Sequence, residues 1–205
     1  MRIGIDFDNT IARYDAIFAR LGRQFHWLPD DFAGTKLQSR DLVRGGVDGE
    51  QRWQTLQALA YGPHMAEAEL FDGVIDFLGR CRQGGHKVAI VSHKTQFAAR
   101  DRGEVDLRQA ALDWMQGQGF FSPAGLAIER HQVIFADSRR QKCQTIGALR
   151  CDLFIDDLPE LFADSAFPAD TRRILFHDAP PPIPCGRFEA LGSWKEIADA
   201  IFRQS

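Results

Sequence analysis

The chain has 205 residues, 44% of them apolar and 26% charged, and a formal net charge of −3. That length holds one domain, or one domain with a small insertion, and leaves enough apolar material for a core without disulfide or metal staples. The charge balance excludes the strongly basic surface that nucleic acid or an anionic membrane selects.

No apolar run approaches membrane-spanning length, and the first residues enter strand-like sequence at once, so a cytoplasmic location is expected. Cys81, Cys143, Cys151 and Cys185 form no C-x-x-C pair, which favours reduced thiols over a zinc site or a disulfide framework. The 25 basic residues include few lysines (Lys36, Lys87, Lys94, Lys142 and Lys195), so a Lys at a motif position stands out.

The N-terminal run Ile3-Gly4-Ile5 reads as a strand that stops at Asp6-Phe7-Asp8-Asn9-Thr10. Ile11, Ala12, Tyr14, Ile17, Phe18 and Leu21 then recur at helical spacing, and Gly22 is placed to close that helix. From Arg23 to Phe71 no strand signal survives. Leu28-Pro29-Asp30-Asp31 and Gly45-Gly46 are turns, and Val47–Tyr61 is a helix with Trp53, Leu56, Leu59 and Ala60 inward. This aromatic-bearing stretch interrupts an otherwise alternating chain, so residues 13–71 are expected to be a helical cap inserted into a core of 1–12 and 72–205.

Alternation resumes with a helix over Val74–Arg82 and a near-continuous apolar strand over Lys87–Ser92, as expected when both faces are buried. A helix over Val105–Gln118, a strand over Gln132–Ala136 and a helix over Arg139–Leu149 capped by Asp137 or Ser138 come next. Strands over Asp152–Asp156 and Arg172–His177 follow. Ala179–Pro184 reads as an extended proline-rich connector, and Ser193-Trp194-Lys195-Glu196 as a capping box opening a helix to Phe202. Strands separated by helices predict an α/β fold, a Rossmann-like parallel sheet flanked by helices.

Several polar residues fall at predicted strand ends. Asp6 and Asp8, two residues apart, begin on one side of the backbone, and two carboxylates this close repel unless a cation or shared proton intervenes. Ser92 ends the second long strand, with His93, Lys94 and Thr95 after it, and Asp156-Asp157 ends the fourth. Lys142 shares a helix face with Ile146 and Leu149, so its ammonium projects inward and requires an anionic partner. Singly, each has a bland account: an Asx turn, a strand-end cap, a turn acid, a snorkelling lysine. Their convergence on one edge of a parallel sheet points to a metal-assisted nucleophilic site.

Taken together, Asp6-Phe7-Asp8-Asn9-Thr10, the strand ending in Ser92, Lys142 and Ile155-Asp156-Asp157 resemble, in order and across nearly the whole chain, the four motifs of the haloacid dehalogenase-like (HAD) hydrolase superfamily. The resemblance implies phosphoryl chemistry with Mg²⁺: Asp6 as nucleophile, Asp8 as general acid/base, and Thr10, Ser92, His93 and Lys142 on the phosphate side. Asp6, Asp8 (through its carbonyl), Asp156 and Asp157 are the implied metal set, and Arg139, Arg140 and Lys94 are alternatives to Lys142. It also implies that the helical insertion is the family's cap. A looser likeness is to the 5′(3′)-deoxyribonucleotidase branch. The expected activity is Mg²⁺-dependent hydrolysis of a small phosphate ester, a sugar phosphate or nucleoside monophosphate, by a monomer or homodimer. A phosphotransferase or phosphomutase with the same covalent step, and a catalytically silent binding module, are the alternatives. Trp27, Arg40, Arg44, Trp53, Tyr61 and His64 are the insertion residues with the chemistry to read a leaving group.

Overall fold

The apolar run after Met1 forms strand β1 (Arg2–Ile5) in a computed structural model that describes residues 1–98, 105–177 and 188–202. Next come β2 (Ala12–Arg13), α1 (Asp15–Gln24), α2 (Lys36–Arg44), α3 (Gly49–Tyr61), β3 (Glu69–Leu70), α4 (Val74–Gln83), β4 (Lys87–His93) and α5 (Leu107–Gly117). The chain continues through β5 (Val133–Ala136), α6 (Arg139–Ala148), β6 (Leu153–Asp156), α7 (Pro159–Ala163), β7 (Arg172–Phe176), β8 (Glu189–Leu191) and α8 (Trp194–Phe202). The expected Ala179–Pro184 connector lies outside the described residues. No helix among the described residues is long and apolar enough to cross a membrane.

Two compact units account for these elements: Met1–Ala12 with Leu70–Lys94 and Gly119–Ser205, and Arg13–Glu69 with Thr95–Gln118. The first unit holds a six-stranded sheet in the order β5-β4-β1-β6-β7-β8, with every pair parallel. Counted within the sheet, that order is 3-2-1-4-5-6, the doubly wound arrangement, and it reverses between β1 and β6. Alternating strand residues feed two apolar layers. Val91, Phe154 and Leu175 join Cys143 and Ile146 of α6 and Leu161 and Phe162 of α7. On the opposite face, Trp194 of α8 meets Phe77 of α4 at 4.9 Å and Phe176 of β7 at 5.9 Å between ring centroids.

Gly4 lets the central strand lie against the first of these layers. A Cβ there would stand 2.4 Å from Phe154 Cδ2, well inside contact distance.

The second unit is helical. Phe18 of α1 stacks on Trp53 of α3 at 4.7 Å, and Tyr14 meets Tyr61 edge-on at 5.0 Å. Thr35 and Gln38 close a capping box at the start of α2, a helix that periodicity does not single out. The expected bounds place residues 72–205 wholly in the core, whereas α5 groups with the second unit, where Trp114 Nε1 donates to the Ala68 carbonyl at 2.8 Å.

Other departures have local causes. The first helix starts at Asp15 rather than near Ile11, because Ile11 and Ala12 turn back through amides bonded to the Phe7 carbonyl. It also runs through Gly22, which serves close approach to Leu28 instead of termination; a Cβ would lie 2.3 Å from Leu28 Cδ1. Residues 47–48 stay outside α3, with Asp48 in the left-handed region at φ 51°. Short strands β3 and β8 and the one-turn α7 are too brief to show a period.

Candidate active site

Parallel pairing brings the C-terminal ends of β1 and β6 side by side, and the Asp6 amide donates to the Ile155 carbonyl at 2.8 Å. Asp6 and Asp156 are therefore neighbours at the point where strand order reverses, where open α/β sheets form their ligand crevice. Both are buried, at 5% and 0% exposure. Carboxylate oxygens of Asp6, Asp156 and Asp157 lie within 4.8 Å of one another.

Lys142 comes up from α6 between them. Its Nζ lies 2.5 Å from Asp6 Oδ1 and 2.6 Å from Asp156 Oδ2. The helix that carries it is fixed at its start by Ser138, whose Oγ accepts from the Gln141 amide. The other Asp156 oxygen accepts from the Leu158 amide at 2.9 Å, which turns the chain away from the strand end.

After Asp6 the backbone makes a tight turn. Asn9 adopts φ 58°, its amide bonds the Ala12 carbonyl, and the Ile11 and Ala12 amides both bond the Phe7 carbonyl. Asn tolerates that left-handed conformation better than most residues. Its side-chain amide also donates to Asp157 Oδ2 at 3.4 Å. Trp194 Nε1 donates to the Thr10 carbonyl at 3.0 Å.

The second carboxylate of the first motif has different partners. Lys94 Nζ lies 3.1 Å from Asp8 Oδ1 and 3.0 Å from Oδ2, and Ser92 Oγ donates to Oδ2 at 3.5 Å. Lys94 and Ser92 are buried, whereas His93 between them is exposed. Thr10 is wholly buried, and its Oγ1 has no hydrogen-bond partner among the described residues. The structure thus brings Asp6, Asp156, Asp157 and Lys142 together and joins Asp8 to Ser92. Lys94, weighed only as a substitute for Lys142, has its own partner instead. Spacing and periodicity do not single out Asn9 or Trp194 as site residues; Asn9's place inside the first motif is the one signal that points to it.

Electrostatics follow from the crowding. Burial raises the Asp6 pKa, Lys142 pulls it down, and Asp156, Asp157 and Asp8 push it up again, leaving it well above the usual carboxylate range. Burial opposes the charge on Lys142, yet Asp156 and Asp6 outweigh it and hold the ammonium pKa above its ordinary value. Lys142 pairs with Asp6 and Asp156, and Lys94 pairs with Asp8. The clustered carboxylate oxygens of Asp6, Asp156 and Asp157 are hard donors of the kind that fit a divalent cation such as Mg²⁺.

The insertion residues singled out for recognition have partners inside the second unit. Trp53 is buried core, and Trp27 stacks on Phe25 at 4.7 Å under Arg52. His64 bonds Glu67 at 2.7 Å, with Arg20 on both, while Arg44 pairs with Glu50 and Arg40 with Asp41.

No family profile and no curated protein matches the chain in sequence. Solved structures do match over nearly its whole length. A HAD family hydrolase from Deinococcus radiodurans with bound phosphate and sodium aligns at TM-score 0.58 and 14% identity, covering 98% of this chain and 95% of that one. The fold is that of the HAD-superfamily hydrolases. The HAD-hydrolase YfnB from Bacillus subtilis, in a structure bound to magnesium, aligns at TM-score 0.55 and 12% identity, covering 98% of each chain. A HAD-superfamily hydrolase from Ehrlichia chaffeensis gives TM-score 0.55 and 13% identity, over 98% of this chain and 96% of that one.

Proposed function

We propose that this HAD-like protein is a Mg²⁺-dependent phosphatase acting on a small phosphorylated metabolite. The observation that carries the reading is the buried cluster of Asp6, Asp156 and Asp157 around Lys142 at the sheet's switch point. The phosphate and the magnesium bound by two proteins of the same fold support it. Asp6, Asp156, Asp157 and the Asp8 carbonyl would hold the ion. When bound, Mg²⁺ would offset the charge that otherwise keeps a carboxylate from a phosphate.

Asp6 is the nucleophile in this reading. A carboxylate oxygen of Asp6 bonds phosphorus as the ester P–O bond breaks, giving an aspartyl-phosphate, and Asp8 protonates the departing alcohol. Asp8 then takes a proton from the water that attacks phosphorus, releasing inorganic phosphate and restoring Asp6. Lys142 keeps Asp6 aimed throughout, and Ser92, His93 and Thr10 are assigned to the phosphate oxygens. Sugar phosphates and nucleoside monophosphates are the substrate classes, the latter matching the looser deoxyribonucleotidase likeness.

The test is release of free phosphate from a panel of phosphate esters, including p-nitrophenyl phosphate, by the purified chain with Mg²⁺ and no added acceptor. Release that disappears in Asp6→Asn, with an unchanged circular-dichroism spectrum, is the expected result. Turnover only with an acceptor alcohol would favour a phosphotransferase, and no turnover of any ester a silent binding module.

A further inference from the structure

We infer that Lys94 is the positioning residue for Asp8, and that it orients this carboxylate for breakdown of the aspartyl-phosphate; the inference rests on the phosphatase reading above. Lys142 is committed to Asp6 and Asp156, through contacts of 2.5 and 2.6 Å. Lys94 is a separate buried cation, 4% exposed, and it touches both oxygens of one carboxylate, at 3.1 and 3.0 Å.

The geometry restrains Asp8 at both ends. An ammonium that spans the two oxygens opposes rotation of the carboxylate about its last side-chain bond, and Ser92 Oγ at 3.5 Å adds a second donor on Oδ2. Lys94 is itself anchored. Its amide donates to the Ala136 carbonyl at 3.0 Å, continuing the β4–β5 pairing past the strand end, and its Nζ lies 5.8 Å from the centre of the Phe7 ring. The Asp8 side chain is 16% exposed against 3% for Lys94, so the ammonium holds the carboxylate from its more buried side. A proton acceptor for an incoming water needs that arrangement, because misplacement by about 1 Å can cost on the order of 100-fold in rate.

The experiment is rapid-quench kinetics with p-nitrophenyl phosphate and Mg²⁺ on the wild type, Lys94→Met, Lys94→Arg, Asp8→Asn and the Lys94→Met/Asp8→Asn double variant. Nitrophenolate leaves without a proton, so the first step tolerates a misplaced Asp8 while the second does not. Lys94→Met should give a burst of about one nitrophenol per enzyme, then steady turnover slowed about 10- to 100-fold. Lys94→Arg should restore part of the steady rate, and the double variant should be no slower than Asp8→Asn. Because an uncompensated carboxylate can weaken the fold, each variant is scored only by active sites that form the burst. A Lys94→Met enzyme that loses burst and steady rate in proportion, or losses that add in the double variant, would overturn the positioning role. Wild-type protein that hydrolyses no ester overturns the phosphatase reading and this inference with it.

Discussion

Trp194 Nε1 donates a 3.0 Å hydrogen bond to the Thr10 carbonyl, tying the first turn of α8 to the loop that carries Asp8 across 184 residues of sequence. Trp194 is 1% exposed and lies against Phe77 and Phe176, so the indole is held by the core while its one donor faces the site loop. Trp194→Phe keeps an aromatic ring but orphans a buried carbonyl. A loss of about 1–3 kcal/mol is expected from urea unfolding, with reduced turnover at saturating ester. Unchanged stability would mean that the carbonyl finds another donor.

Lys142→Met should be far more damaging than its size suggests. It removes the cation between Asp6 and Asp156, and breaking a buried pair in this way costs about 3–5 kcal/mol. Added Mg²⁺ should restore part of the melting temperature, since an ion bound only by the folded state stabilises it by mass action. A variant that melts like the wild type without Mg²⁺ would show that the pair contributes little.

Asp156→Asn should raise the Mg²⁺ concentration needed for half-maximal activity and weaken Mg²⁺ binding by calorimetry. The substitution keeps an oxygen but removes a full charge from the donor set. An unchanged metal titration would remove Asp156 from the donor set.

Asp6 also predicts a pH dependence. Its folded pKa is raised above the unfolded value of about 3.9, so the folded chain binds this proton more tightly. The resulting contribution to stability is complete below about pH 3.9 and is lost as pH rises through the folded pKa. Mg²⁺ must displace the same proton, so the gain in melting temperature on adding Mg²⁺ should grow with pH over that interval and flatten in Asp6→Asn. Lys142, with a raised pKa, keeps its contribution through neutral pH and loses it only in the alkaline range. Calorimetry from about pH 4 to pH 8, with and without Mg²⁺, reads this directly. A gain independent of pH would count against Asp6 as a ligand.

Gly4→Val tests the sheet that aligns the acids. Its side chain would begin 2.4 Å from Phe154 Cδ2, on a strand paired to β4 and β6. Overpacking of this kind costs about 1–3 kcal/mol, and shortening the neighbour in Gly4→Val/Phe154→Leu should recover part of it. Additive losses would locate the strain elsewhere.

Local sequence was enough to determine the alternating β/α chain, the acids at strand ends and the inward Lys142, because each depends on a period or an offset of a few residues. Its apolar stripe even required an anionic partner for Lys142, though not which one. That Lys142 meets Asp6 and Asp156 together, that Lys94 belongs to Asp8, and that Trp194 holds Thr10 were decided only by the tertiary structure. Those partners lie 136, 14, 86 and 184 residues apart, and strand order, not spacing, brings them into contact. The placement of α5 with the second unit has the same origin, since a helix's apolar face states that it must be covered and leaves open by what.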